Sequence, residues 1–141
     1  MNGGAKVLHG SCLCGGVRFE VTEPFLIVSA CHCAFCKKLS GGYGTVSGGA
    51  RTESIRILEG AELLTRFTPE GGSAKTFCSV CGSNLFGGGW PERERASVRL
   101  SALDTPFERK IEAHGFVGSV APWEDLPDDG LPRHEGRIPP P

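Results

Sequence analysis

The chain has 141 residues, the size of one domain with a modest core. Fifteen Lys and Arg stand against 16 Asp and Glu, a formal charge of −1 that gives no electrostatic reason to bind nucleic acid. No stretch approaches the ~20 apolar residues of a membrane span, and 21 glycines with 10 prolines favour turns and short strands over long helices.

Met1-Asn2-Gly3-Gly4-Ala5-Lys6 leads into no apolar run of signal-peptide length, so the cytoplasm is the expected compartment. Val17-Arg18-Phe19-Glu20-Val21 alternates apolar and polar residues after the turn-prone Gly15-Gly16, the pattern of a half-buried strand. Leu26-Ile27-Val28 is a short apolar run leading towards Cys31, and one helical turn is expected around Ala34 to Leu39. Ile55–Leu58, Leu63–Phe67 and Val98–Leu100 have the β-branched or aromatic content of strands. Pro69-Glu70-Gly71-Gly72-Ser73 reads as a turn, and Ile111 to Val117 as a last strand. From Pro122 to Pro132 the prolines remove ladder donors, and Trp123 is expected to pin this segment to the body. One mainly β domain built around metal is therefore predicted. Residues 1–9 form a lead and 136–141 a flexible Pro-rich tail.

Seven cysteines stand as Cys12/Cys14, Cys31/Cys33/Cys36 and Cys78/Cys81. An odd number cannot all pair as disulfides. Residues i and i+2 of extended chain share a face, so Cys12 and Cys14 can reach one ion. Cys78-Ser79-Val80-Cys81-Gly82 is a zinc-knuckle pattern; the rival reading, a redox dithiol, lacks the helix that normally follows one. Together these two pairs predict a closed, structural Cys₄ zinc site. Cys31, Cys33 and Cys36 leave three thiolates on a second zinc ion with one position open. Two Zn²⁺ per chain are expected.

Three anionic sulfurs make zinc a weak activator of water, whereas an incoming thiol would be ionised on binding. The open site is thus read as one for a thiol substrate. His32, between two ligands, is expected to point away from their ion, and His9, His114 and His134 are expected to be structural or surface residues. Lys37-Lys38 reads as a solvated pair, and Phe35, Tyr43, Trp90 and Trp123 as core.

These segments resemble the glutathione-dependent formaldehyde-activating enzyme family, which includes centromere protein V. The similarity runs from Gly10 to about Glu135 through Gly10–Phe19, Cys31–Lys38, Phe77–Phe86, Ala113–Ser119 and Ala121-Pro122-Trp123. It departs at Ser101-Ala102-Leu103-Asp104, where the family usually has a glycine before Leu-Asp, and at Gly115, where a bulkier apolar residue is usual. The resemblance implies a mostly antiparallel β fold of the β-tent kind over residues 10–135, structural zinc on Cys12, Cys14, Cys78 and Cys81, and catalytic-type zinc on Cys31, Cys33 and Cys36. It also implies a carbon–sulfur lyase, which in reverse adds the glutathione thiol to formaldehyde. Lys37, Arg51 and Arg66 are the candidate proton donors to the developing alkoxide. The rival functions are a thiol-adduct carrier, a non-catalytic zinc scaffold that binds a partner, and a redox sensor that releases zinc on oxidation.

Overall fold

The computed structural model describes residues 6–140, so the opening segment read above for its lack of an apolar run, and Pro141 of the tail, lie outside it. Ten strands and one short helix follow in order: β1 Leu8–Ser11, β2 Arg18–Val21, β3 Ile27–Cys31, α1 Ala34–Ser40, β4 Thr45–Arg51, β5 Ile55–Glu59, β6 Leu64–Phe67, β7 Lys75–Cys78, β8 Asn84–Gly87, β9 Arg95–Arg99 and β10 Ala113–Gly115. They form a three-stranded sheet, β1-β2-β5, and a seven-stranded sheet, β10-β3-β4-β9-β8-β7-β6. All neighbours are antiparallel except β10, which runs parallel to β3.

The alternating strands form where the pattern predicts, because each has one apolar face to bury. Val17, Phe19 and Val21 are fully buried, and Phe19 packs edge-on against Phe86 of β8 at 5.0 Å, joining the two sheets. Val28, Val98, Leu85 and Phe86 complete the same core. The long sheet therefore has one core face, while its other face carries the cross-strand partners Ser29–Ser47, Ser47–Arg99 and Gly49–Ser97.

The sequence reading passed over β4, since Thr45-Val46-Ser47-Gly48-Gly49-Ala50-Arg51 has little β propensity. It is a strand because β3 and β9 supply ladders on both of its edges. Gly44 makes this junction possible: its φ is +149°, and a Cβ there would stand 2.1 Å from the Cys31 carbonyl oxygen. Gly44→Ala should cost on the order of 3 kcal/mol, from backbone strain plus that overlap, seen as a lower urea midpoint with an unchanged m-value. An unchanged midpoint would show that the β3–β4 junction relaxes freely.

The last strand is shorter than predicted, because residues 111–112 and 116–117 have no partner in the ladder. Trp123 does not pin the Pro-rich segment; it is 70% exposed and leans on Tyr43, itself 66% exposed. The buried Glu124 does this instead, accepting from the Ala121 N–H at 2.9 Å beside Lys37. In the segment assigned to the tail, the Gly136 carbonyl accepts from the Phe116 N–H at 2.8 Å. The His134 N–H likewise donates to the His114 carbonyl at 2.9 Å.

Candidate metal centres

Cys12 and Cys14 lie at the turn after β1, and Cys78 and Cys81 bracket the turn after β7. Their four Sγ atoms all lie within 4.8 Å of one another. The Cys12–Cys14 separation is 3.5 Å and the Cys14–Cys78 separation 3.9 Å. A tetrahedron of sulfurs at the zinc–sulfur distance has edges of about 3.8 Å, so the donor set fits the ion. Hydrogen bonds from the Ser83 hydroxyl and N–H hold the Cys81 thiol down to about 5. The Gly16 N–H draws the Cys14 thiol down, but Cys12, desolvation, Cys81 and Cys78 together push it up to about 11. Protons are thus shared across the cluster until an ion displaces them.

Cys31 ends β3, Cys33 caps α1, and Cys36 lies in its first turn. The Cys36 N–H donates to the Cys33 sulfur at 3.3 Å, the normal use of an N-cap side chain. The three Sγ atoms lie within 4.8 Å of one another, and among the described residues no His, Cys, Asp or Glu atom joins them as a fourth. Donation from the Cys31 and Cys36 thiols drives the Cys33 pKa down to about 2, while those same interactions push Cys31 well above the usual thiol range.

This triad forms part of the wall of a cavity of about 430 Å³, together with Phe35, Lys75, Arg99 and Phe116. A larger cavity, about 750 Å³, lies towards Ser11, Cys12 and Asn84 and shares Thr45 and Arg99 with the first. It holds only one cysteine, so the smaller cavity is the candidate reaction site.

Arg99 was read only as a strand residue. It is 5% exposed, and its guanidinium donates to Ser47 Oγ at 2.8 Å. Burial pulls its pKa down, and the negative charge of Cys36, Cys31 and Cys33 pulls it back up. Lys75, 8% exposed, donates from Nζ to Ser73 Oγ at 3.2 Å. The pattern signal for Arg99 was present: Arg95, Ser97 and Arg99 alternate with the buried Ala96 and Val98, which puts the arginines on the face opposite the core.

Of the predicted proton donors, none lines the cavity. Arg51 pairs with Glu23 and Glu53, and Arg66 with Glu92. Lys37 is not a solvated charge: it donates to the Ser119 carbonyl and lies 3.8 Å from Glu124. Lys38 is exposed. Phe35 is partly exposed at the cavity wall rather than in the core, and Trp90 packs on Phe86 at 4.7 Å.

His32 is outside the sulfur cluster, as its position between two ligands predicts. It is buried and stacks on His114, with its Nε2 2.9 Å from His114 Nδ1. His114 Nε2 donates in turn to Asp129 Oδ2 at 2.8 Å. With the carboxylate accepting, a neutral His114 carries its proton on Nε2 and accepts at Nδ1, so His32 donates from Nε2. No local pattern signals this hydrogen-bonded series, because Asp129 is 97 residues from His32 and lies in an irregular segment.

Residues 7–119 match the family described as glutathione-dependent formaldehyde-activating enzyme. A Halomonas elongata protein is 33% identical over 132 residues, covering 85% of this chain and 81% of its own, and its name assigns it provisionally to glutathione-dependent formaldehyde activation. A crystal structure of a Rhodobacter sphaeroides protein superposes with a TM-score of 0.58 at 26% identity, over 70% of this chain and 90% of that one. No helix among the described residues is long and apolar enough to cross a membrane. The chain belongs to the glutathione-dependent formaldehyde-activating enzyme family.

Proposed function

We propose that the protein is a zinc-dependent carbon–sulfur lyase that binds a thiol, glutathione, and forms or breaks its adduct with an aldehyde such as formaldehyde. Cys12, Cys14, Cys78 and Cys81 would hold a structural zinc ion, and Cys31, Cys33 and Cys36 a second one beside the substrate. The reading places the reaction in the cytoplasm and within residues 10–135. It rests on one observation above all: three converging sulfurs, with no fourth protein ligand among the described residues, line a cavity.

When bound there, zinc would favour the ionised form of an incoming thiol. The chain's own residues do the rest. Cys31, Cys33 and Cys36 would hold that ion in the cavity wall and so set where the reacting sulfur lies. In the forward addition that sulfur attacks the carbonyl carbon, the C=O π pair moves to oxygen, and the proton lost by the thiol ends on the oxygen. Arg99 and Lys75 supply buried positive charge for the developing alkoxide, where a low dielectric makes it most effective. Phe35 and Phe116 give the cavity apolar wall and limit water. The reverse reaction uses the same groups, with the S–C bond breaking as the alkoxide reforms the carbonyl.

In protein with cobalt replacing zinc, glutathione should intensify the sulfur-to-metal charge-transfer absorption. Stopped-flow mixing with formaldehyde should give adduct formation faster than in buffer. An unchanged spectrum at millimolar glutathione overturns thiol capture. A changed spectrum with an unaccelerated rate leaves the protein a thiol-adduct carrier.

A further inference from the structure

The cavity beside the cysteines does not end there. A second depression of about 400 Å³ shares Cys31, Ser47, Phe116 and Arg137 with it, so the two form one groove along the polar face of the long sheet. Five cations line this groove: Lys75, Arg93, Arg95, Arg99 and Arg137. No Asp or Glu lines it, and among the described residues none of the five forms an ion pair. In a chain with near-equal numbers of acids and bases, this is a segregation of charge and not a reflection of composition. Like charges gathered on one concave surface repel each other, and an anionic ligand relieves that repulsion.

The cations divide by depth. Lys75 and Arg99 are buried and line the cavity with the sulfurs, whereas Arg93, Arg95 and Arg137 are exposed; Arg93 and Arg95 line only the second depression, and Arg137 lines both. Exposed guanidinium groups suit bidentate carboxylate recognition. Arg137 comes from the C-terminal segment, outside the residues 7–119 that match the family. Two contacts seat that segment on either side of Arg137. The Phe116 N–H donates to the Gly136 carbonyl at 2.8 Å, and Ile138 occupies the space beside Gly115, where a Cβ would stand 3.1 Å from Ile138 Cγ1. A residue with a side chain at 115 would push Ile138 away, and with it Arg137.

Building on the thiol reading above, we infer that Arg137, with Arg93 and Arg95, binds the carboxylate groups of the thiol substrate. The C-terminal segment is then a specificity element. The substrate class is a thiol carrying one or more carboxylates at a distance from its sulfur. Its sulfur sits at the cysteines, and its anionic ends extend along the groove.

The test is calorimetric titration of the zinc-loaded full chain with glutathione, its diethyl ester and S-methylglutathione, in wild type, Arg137→Ala and Arg93→Ala/Arg95→Ala. Arg137 is exposed, so the variant should keep its zinc content and melting temperature. Glutathione affinity is expected to fall roughly tenfold in Arg137→Ala, the scale of one lost charge-assisted contact, with a similar loss for the ester on wild type. Equal binding of acid and ester with no effect of either variant overturns the carboxylate subsite and leaves thiol capture intact. S-methylglutathione binding that depends on Arg137, with glutathione binding indifferent to Cys33→Ser, keeps the subsite and overturns thiol capture. Failure of both glutathione and S-methylglutathione to bind overturns the subsite. The truncation 1–136 should match Arg137→Ala; binding unchanged by truncation also overturns it.

Discussion

Replacing Cys78 by serine is expected to abolish the cooperative unfolding transition at 25 °C. Cys78 is fully buried and Cys12 is 4% exposed. Their cluster ties the turn after β1, in the small sheet, to the turn after β7, in the large one. Structural zinc contributes on the order of 10 kcal/mol to folding, comparable with the whole stability of a domain this size. A core joined across two sheets mainly by contacts such as Phe19–Phe86 cannot replace that constraint. Far-UV circular dichroism with thermal melting would show a broad, shallow change in the variant. A strong chelator should do the same to wild type, and acid should act similarly because protons compete with the metal for thiolate. A sharp transition retained in Cys78→Ser would mean that the four sulfurs are not a structural metal site.

Cys33→Ser is expected to have the opposite profile: an intact fold, one zinc ion retained of two, and adduct formation slowed at least ~100-fold. The three-cysteine cluster lies at the end of β3, which is held by ladders to β4 and β10 on either side. Serine is a good N-cap, so it can replace the Cys33 sulfur in accepting the Cys36 N–H. Helix α1 should therefore persist while the donor set drops to two thiolates. Metal quantitation beside the melting curve checks this. Two ions retained, or global unfolding, would refute the division of seven cysteines into four and three.

The strands that the sequence announced were those with an alternating apolar face, such as Val17–Val21, because burial of that face is local in cause. β4 was missed because its residues have no preference of their own and are extended only by neighbours on both edges. Trp123 and Tyr43 were misplaced by their hydrophobicity; the buried carboxylate of Glu124 anchors that segment instead. Lys37 was assigned to solvent, yet its long side chain reaches the Ser119 carbonyl 82 residues away.

The grouping of the cysteines was legible because ligand spacing is a short-range property: Cys31, Cys33 and Cys36 converge through one strand end and one helical turn. The closed cluster needs two distant turns to meet, but each carries its own two-cysteine signature. Charge was another matter. Composition showed a balanced chain, and only the folded sheet reveals that Lys75, Arg99, Arg93, Arg95 and Arg137 share one groove. Strand alternation fixed which face Arg95 and Arg99 take; the cross-strand register and the docking of Ile138 on Gly115 fixed what stands beside them. The sequence by itself determined a β domain with two sulfur clusters, since period and spacing are properties of neighbouring residues. Tertiary structure alone decided the surroundings of the open cluster, because a buried cation or a paired histidine is defined by chain segments that only packing brings together.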